Sequence, residues 1–248
     1  VDIGADERGR HRSFFMVKPD ELASPTVLSI PAPDKLPGEQ PRLFEDAMTV
    51  AEQGRWFAAV FRGGGKDVPR HSLVIYDMED TVADDGRVHL NERVVHTIAA
   101  PKFCTFVDPV FVHDGKRLIA PLRPIDLVGK PACADRVRVY DTQSGKMVDE
   151  FRTTPGHAPV RRIDLSPDGQ LLFAERSYGP GEVWKLSARK KLSEWTWPED
   201  AKRPPLDFVA SGTIIVESRH DDPDYPLQLR LRETTTGRPV EFGRLEKA

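Results

Sequence analysis

Two short clusters in this 248-residue chain carry residue types that could do chemistry. Gly63-Gly64-Gly65-Lys66 has the glycines and the lysine of a phosphate cradle. It lacks the GxxxxGKS/T spacing, and no helical pattern opens after it. The backbone donors and dipole that hold a phosphate are therefore missing, and a flexible loop is the expectation. His220-Asp221-Asp222-Pro223-Asp224 gathers carboxylates of the kind a hard cation takes. With no EF-hand loop and no second ligand cluster, it reads as a solvated acidic turn. Nucleophilic catalysis needs an activated Ser or Cys beside a base, and neither a GxSxG elbow nor an HExxH motif occurs. No catalytic residue, metal ligand or cofactor site is assigned. Cys104 lies just before an apolar run and reads as a small buried hydrophobe. Cys104 and Cys133 make no CxxC pair and no metal spacing. They suit a reduced, cytosol-like compartment, hence a cytoplasmic protein, with a single disulfide between them as the alternative.

Composition narrows the partners. A net charge of −3 argues against a nucleic-acid protein that relies on bulk electrostatics. The basic clusters Arg161-Arg162 and Arg189-Lys190-Lys191 are short and read as solvated turn and strand positions. No apolar run approaches the roughly 18 to 20 residues that a membrane-spanning helix needs, so no membrane partner is expected. The first residues, VDIGADERGRHR, have no signal-peptide core and no initiating Met, which suggests a processed chain or part of a longer one.

The elements that would position any site are strands. Residues 1–39 read as a partial unit or N-terminal arm, with short strands at Ser13 to Val17 and Thr26 to Ile30 before Pro31, Pro33 and Pro37 break the chain. From residue 40 onward, short runs of Val, Ile, Leu and Phe alternate with Gly, Asp, Ser or Pro turns. Asp46 to Ala51, Trp56 to Phe61, Leu73 to Asp77 and Val94 to Ala99 form a first set. Val107 to Val112, Leu118 to Leu122, Val137 to Asp141 and Met147 to Phe151 form a second. The third is the clearest: one strand runs into Ser166-Pro167-Asp168-Gly169, Leu171 to Ala174 leaves it, Trp184 ends the next, and Leu192 to Trp195 closes the set. Asp207 to Ala210, Thr213 to Val216, Leu227 to Leu231 and Pro239 to Phe242 make the fourth. Turns such as Asp168-Gly169 and Asp114-Gly115 require the positive φ that glycine supplies.

The sets resemble one another. Val139 to Gly145 superposes without a gap on Leu231 to Gly237, and that register places Tyr76, Tyr140, Trp184 and Arg232 in equivalent positions. Intervals above 40 residues with four strands each are the signature of propeller blades. The third set resembles a WD40-type repeat, with Gly156-His157 at its start, the turn at Asp168-Gly169, and Trp184 closing its third strand. Tyr140-Asp141 stands where that family has its Trp-Asp pair. The resemblance covers residues 40–248 and is strong over 135–195. It also departs from the family: Lys185 replaces the Asp after Trp184, and the first and fourth sets lack Gly-His, so the family's His–Asp network would be incomplete around His157. The fold this implies is all-β, a divergent WD40-like β-propeller of four-stranded antiparallel blades over 40–100, 101–155, 156–200 and 201–248. A closed ring of five blades would use residues 12–31, and a ring of seven would need blades from a longer parent chain.

In that family the connections between second and third strands gather on one face. Three of the four here are longer than a hairpin needs, which is where function concentrates. They nominate Arg62, Arg70, His71, Arg123, Asp126, His220, Asp222 and Tyr225 as a partner-binding face. Trp56, Trp184 and Trp195 read as packing between blades. The function implied is a non-enzymatic scaffold or sensor that binds a protein or peptide. The alternatives are a regulatory or gating propeller of a larger enzyme, and a propeller hydrolase or lyase with a metal in its channel.

Overall fold

A computed structural model describes residues 11–16, 26–31, 42–51, 55–65, 68–82, 88–112, 114–125, 133, 135–155, 158–176, 179–196, 206–209, 212–219 and 228–240. Among them the chain is all-β, with no α-helix. Strands β1 (His11–Met16) and β2 (Thr26–Pro31) pair antiparallel as a sheet of their own. Four larger antiparallel sheets follow, each a meander in chain order. The first holds β3 (Arg42–Val50), β4 (Trp56–Gly65), β5 (Val68–Val82) and β6 (Val88–Ala99). In the second, β7 (Cys104–Phe106) and β8 (Val110–Phe111) share one edge of β9 (Arg117–Pro124), followed by β10 (Arg136–Asp141) and β11 (Met147–Arg152). The third holds β12 (Val160–Leu165), β13 (Leu171–Arg176), β14 (Gly181–Lys185) and β15 (Lys190–Trp195). The fourth holds β16 (Leu206–Val209), β17 (Ile214–Arg219), β18 (Gln228–Glu233) and β19 (Pro239–Val240).

The side-chain period of two decides how the sheets stack. On β9, Leu118, Ala120 and Leu122 join Val60, Leu73 and Ile75 of the first sheet in one core. Ile119, between them, faces the third sheet with Val137, Val160 and Leu172. The third sheet divides likewise: Leu172, Ala174 and Trp184 face the second, whereas Phe173, Val183 and Trp195 pack on Phe208 and Ile215 of the fourth. A strand buried on both faces needs no polar alternation, which is why β9 and β13 read as continuous apolar runs.

The turns carry a second layer of contacts. The N–H of Gly169 (φ +66°) donates to the Ser166 carbonyl at 2.8 Å, and Asp168 accepts the Gln170 N–H at 3.0 Å. Gly115 and Asp114 repeat this, with the Gly115 N–H on the Val112 carbonyl and the Lys116 N–H on Asp114. The turns also touch in series, because a Cβ on Gly169 would lie 2.9 Å from Val112 and one on Gly212 2.6 Å from Ser166. Three sheets further share a register shift between their third and fourth strands, immediately before Tyr76, Tyr140 and Trp184.

Three expectations need correction. The connection Phe61 to Leu73 is not an open loop, because the β4–β5 ladder continues through Arg62↔His71 and Gly63↔Arg70 to Gly65↔Val68. Glycines make ladder hydrogen bonds as other residues do, so the Gly63-Gly64-Gly65 run extends the hairpin. The first strand of the second sheet is broken, not continuous over Val107 to Val112. Asp108 sits between β7 and β8 at φ +39°, outside the strand region. Cys104 and Cys133 are a disulfide, not two thiols, and Cys104 is buried as a cystine half.

Two stability outcomes follow from this packing. Gly169→Ala places a side chain on a left-handed backbone and against Val112. It is expected to cost about 1 to 2 kcal/mol, read as a lower urea midpoint at unchanged slope. Reducing Cys104–Cys133, which closes 29 residues, is expected to cost about 3 to 4 kcal/mol in the same experiment.

Candidate partner-binding end of the sheets

The strand directions bring several nominated residues to one end of the first and second sheets. The long β4–β5 hairpin rises from the first sheet there, and the Ala100 N–H donates to the His71 carbonyl at 2.8 Å. From Ala100 the chain turns through Pro101, Lys102 and Phe103 into β7, whose Cys104 and Thr105 pair with Pro124 and Arg123. Arg62, Arg70 and Arg123 therefore sit at the same end by backbone register. His71 does not offer a surface, because it is 3% exposed and belongs to the packing. Asp126, His157, His220, Asp222 and Tyr225 lie outside the described residues. So does the acidic run 220–224. Among the described residues no group of three or more His, Cys, Asp or Glu is arranged for a metal ion.

Two features at this end were not anticipated. The first is Phe103, an exposed aromatic at φ +62°. The second is a buried ion network at the end of β13. Arg176, at the end of β13, has no exposed surface. Its guanidinium donates to Asp135 (3.1 Å), Glu182 (3.1 Å), the Ala158 carbonyl (2.7 Å) and the Thr154 carbonyl (3.0 Å). Trp184 Nε1 donates to the same Glu182 oxygen at 3.1 Å, and Lys191 Nζ lies 4.0 Å from the other. Burial pushes the Glu182 carboxyl up, but the Thr154 hydroxyl and the Arg176 charge outweigh it and hold it below the usual carboxylate range. The signal for this network was a charged Glu175-Arg176 pair ending an apolar strand, with Glu182 opening the next.

The equivalent aromatics are structural. Trp184 and Tyr140 are buried, with Phe151 and Phe106 respectively as ring neighbours. Trp195 stacks on Phe173 at 5.4 Å, and Trp56 is partly buried with Arg55 over its ring. Next to Tyr76, Asp77 is 2% exposed and held by Arg55 and Arg93. The Arg55 hydrogen bond dominates in keeping its carboxyl below the ordinary range.

At the opposite end, a groove of about 790 Å³ separates the second and third sheets. Val112, Ile119, Val139, Phe151 and Leu186 are among its apolar lining. Arg189 crosses it to Asp149, with Nη2–Oδ1 at 2.7 Å and Nε–Oδ2 at 3.2 Å. Arg189 adopts φ +50° in the turn where the second and fourth sheets have Gly145 and Gly237. This groove lies among the first–second and third–fourth strand turns, not among the nominated connections.

Asp108, between β7 and β8, is a carboxyl perturbed by the third sheet. It accepts the Ile163 N–H of the third sheet at 3.3 Å. Burial pushes it up to about 6, opposed by the Ile163 N–H and the Arg162 charge and reinforced by Asp164 and Glu175.

No protein-family model matches this chain, and no match to a curated protein was found.

A carboxyl raised in the folded state contributes stability below its ordinary value that is lost as pH rises through about 6. Asp108→Asn keeps a carbonyl acceptor for Ile163 and cannot ionise. It is therefore expected to gain on the wild type as pH rises from 4 to 7, by about 1 to 2 kcal/mol after allowing for solvent screening. Urea unfolding at both pH values measures the difference.

Proposed function

We propose that this chain is a divergent WD40-like β-propeller module that binds a protein or peptide and performs no chemistry itself. Four successive meanders, three of four strands and one whose first strand is split into β7 and β8, support the propeller reading, as does the shared register shift before Tyr76, Tyr140 and Trp184. A ring would close through the N-terminal strands or through blades of a longer parent chain. The observation that carries the binding role is the convergence of the Arg62/Arg70 hairpin and Arg123 on one end of packed sheets. Rigid strands presenting charged side chains at their ends are a common way to build a recognition face. The buried charges behind it are engaged with one another, as Arg176 is with Glu182 and Asp135, which suits support better than catalysis.

The disulfide shifts the expected compartment. Cys104–Cys133 is characteristic of an oxidising environment, in place of the reduced, cytosol-like one that scattered cysteines suggested. No helix among the described residues is long and apolar enough to cross a membrane.

Pull-down with immobilised wild type, an Arg62→Ala/Arg123→Ala variant and a Lys116→Ala variant at the opposite end tests the assignment. The double variant is expected to weaken partner capture at least about tenfold, or 1.4 kcal/mol, while Lys116→Ala leaves it unchanged. Equal capture by all three would remove this end from consideration.

A further inference from the structure

We propose that Phe103 is the apolar anchor of this end and that it receives an acidic, apolar-bearing segment of a partner protein. The inference rests on the binding-module reading above. Four non-glycine residues among those described have a positive φ: Phe103, Asp108, Asp135 and Arg189. Such a backbone is unfavourable for any L-residue and most so for a bulky one. Three of the four engage a polar partner through the side chain, Arg189 doing so at the surface. Asp108 accepts the Ile163 N–H, Asp135 holds Arg176, and Arg189 holds Asp149. Phe103 has only the neighbouring Lys102 ammonium, 4.9 Å from its ring centroid, and the residue is 45% exposed.

The strained backbone is held from both sides. The Cys104 N–H closes a turn on the Pro101 carbonyl at 3.0 Å, with Phe103 at the third position. A turn with positive φ there normally takes Gly or Asn. The Ile125 N–H donates to the Phe103 carbonyl at 2.9 Å, and the next residue is tied through the disulfide to Cys133. Cys133 opens a turn of the same kind, closed by the Arg136 N–H and carrying Asp135 at its third position. The fold therefore maintains an unfavourable conformation whose visible result is a large ring presented to solvent. Strain held at an exposed side chain is characteristic of recognition and active sites, and a rigid exposed aromatic is the usual hot-spot anchor.

Charge selects the partner. Lys102, Arg152 at the end of β11 and Arg161 at the start of β12 are exposed, and Arg123 is half-buried. The nearby carboxylates Asp135, Glu175 and Glu182 are buried. The exposed carboxylate Glu194 is paired with Lys191. Among the described residues, the exposed charges at this end are thus mostly cationic, which complements an acidic segment. A single ring on a chain of net charge −3 suits a protein better than a lipid surface.

Fluorescence anisotropy with a short labelled peptide of alternating Glu and Leu tests this, beside its Lys/Leu counterpart and phosphatidylserine vesicles. Wild type and Phe103→Trp are expected to bind the Glu/Leu peptide, more weakly as salt is raised. Phe103→Gly is expected to bind it at least tenfold more weakly while its melting temperature rises by about 2 to 4 °C, because glycine relieves the strained turn. Undiminished binding by Phe103→Gly, or a fall in its melting temperature, would overturn the anchor role. Equal or tighter binding of the Lys/Leu peptide would overturn the acidic partner, as would vesicle binding without peptide binding. Binding of neither probe overturns the inference as a whole. If capture in the pull-down depends on Arg62 and Arg123 but not on Phe103, the module reading stands and this one falls.

Discussion

The guanidinium of Arg176 is the interaction on which the described architecture turns. A fully buried cation is tolerable only when paired and hydrogen-bonded, since desolvation of an isolated charge costs several kcal/mol. Arg176 meets that demand by reaching out of its own sheet. Asp135 comes from the turn that opens β10, Glu182 from β14, and the two carbonyls from the crossover between the second and third sheets. One side chain thereby sets where the crossover runs and where the Asp135 turn sits. Through Cys133 it is also coupled to the turn that presents Phe103. Replacing one partner would leave the others buried and uncompensated, so the network behaves as a unit and not as separable pairs.

That polar staple is needed because the apolar contacts alone are permissive. The second and third sheets are each covered on both faces by their neighbours, with Ile119 and Leu118 on the same strand facing opposite cores. Stacked sheets of Val, Leu and Ile can slide and still bury much the same area. The turn contacts restrict this freedom: Gly169 against Val112 and Gly212 against Ser166 leave no room for a Cβ, so each sheet is indexed to the one before it. The register shifts before Tyr76, Tyr140 and Trp184 add twist at corresponding places, as bulges do.

What could be read from the residues was what depends on near neighbours. The turns at Asp114-Gly115 and Asp168-Gly169 were legible because a positive φ and an Asp that caps the next N–H are local devices. The order of strands in each meander was legible because the apolar runs are short and the breaks are marked. The extension of β4 and β5 through Gly63 to Gly65 was not, since ladder hydrogen bonds belong to the backbone and leave no side-chain pattern. Neither was the disulfide, because a spacing of 29 residues says nothing about whether two Cα atoms come within 6.3 Å. His71 was nominated as a loop residue and is buried because the loop is a strand pair. Asp135 and Arg176 are 41 residues apart, and only the fold brings them together.

The same distinction explains why the clearest sequence motif is not where the surface chemistry lies. Ser166-Pro167-Asp168-Gly169 is easily read because its hydrogen bonds close on themselves: Ser166, Asp168 and Leu171 satisfy one another. A motif that completes its own bonding has little left to offer a partner. Phe103 is the reverse case. Its neighbours Pro101, Ile125 and Cys104 supply every constraint, and nothing in its own residue type announces a left-handed backbone. A group whose backbone is held by its neighbours can leave much of its own side chain exposed. That exposure is the physical mark that separates a presented residue from a packed one.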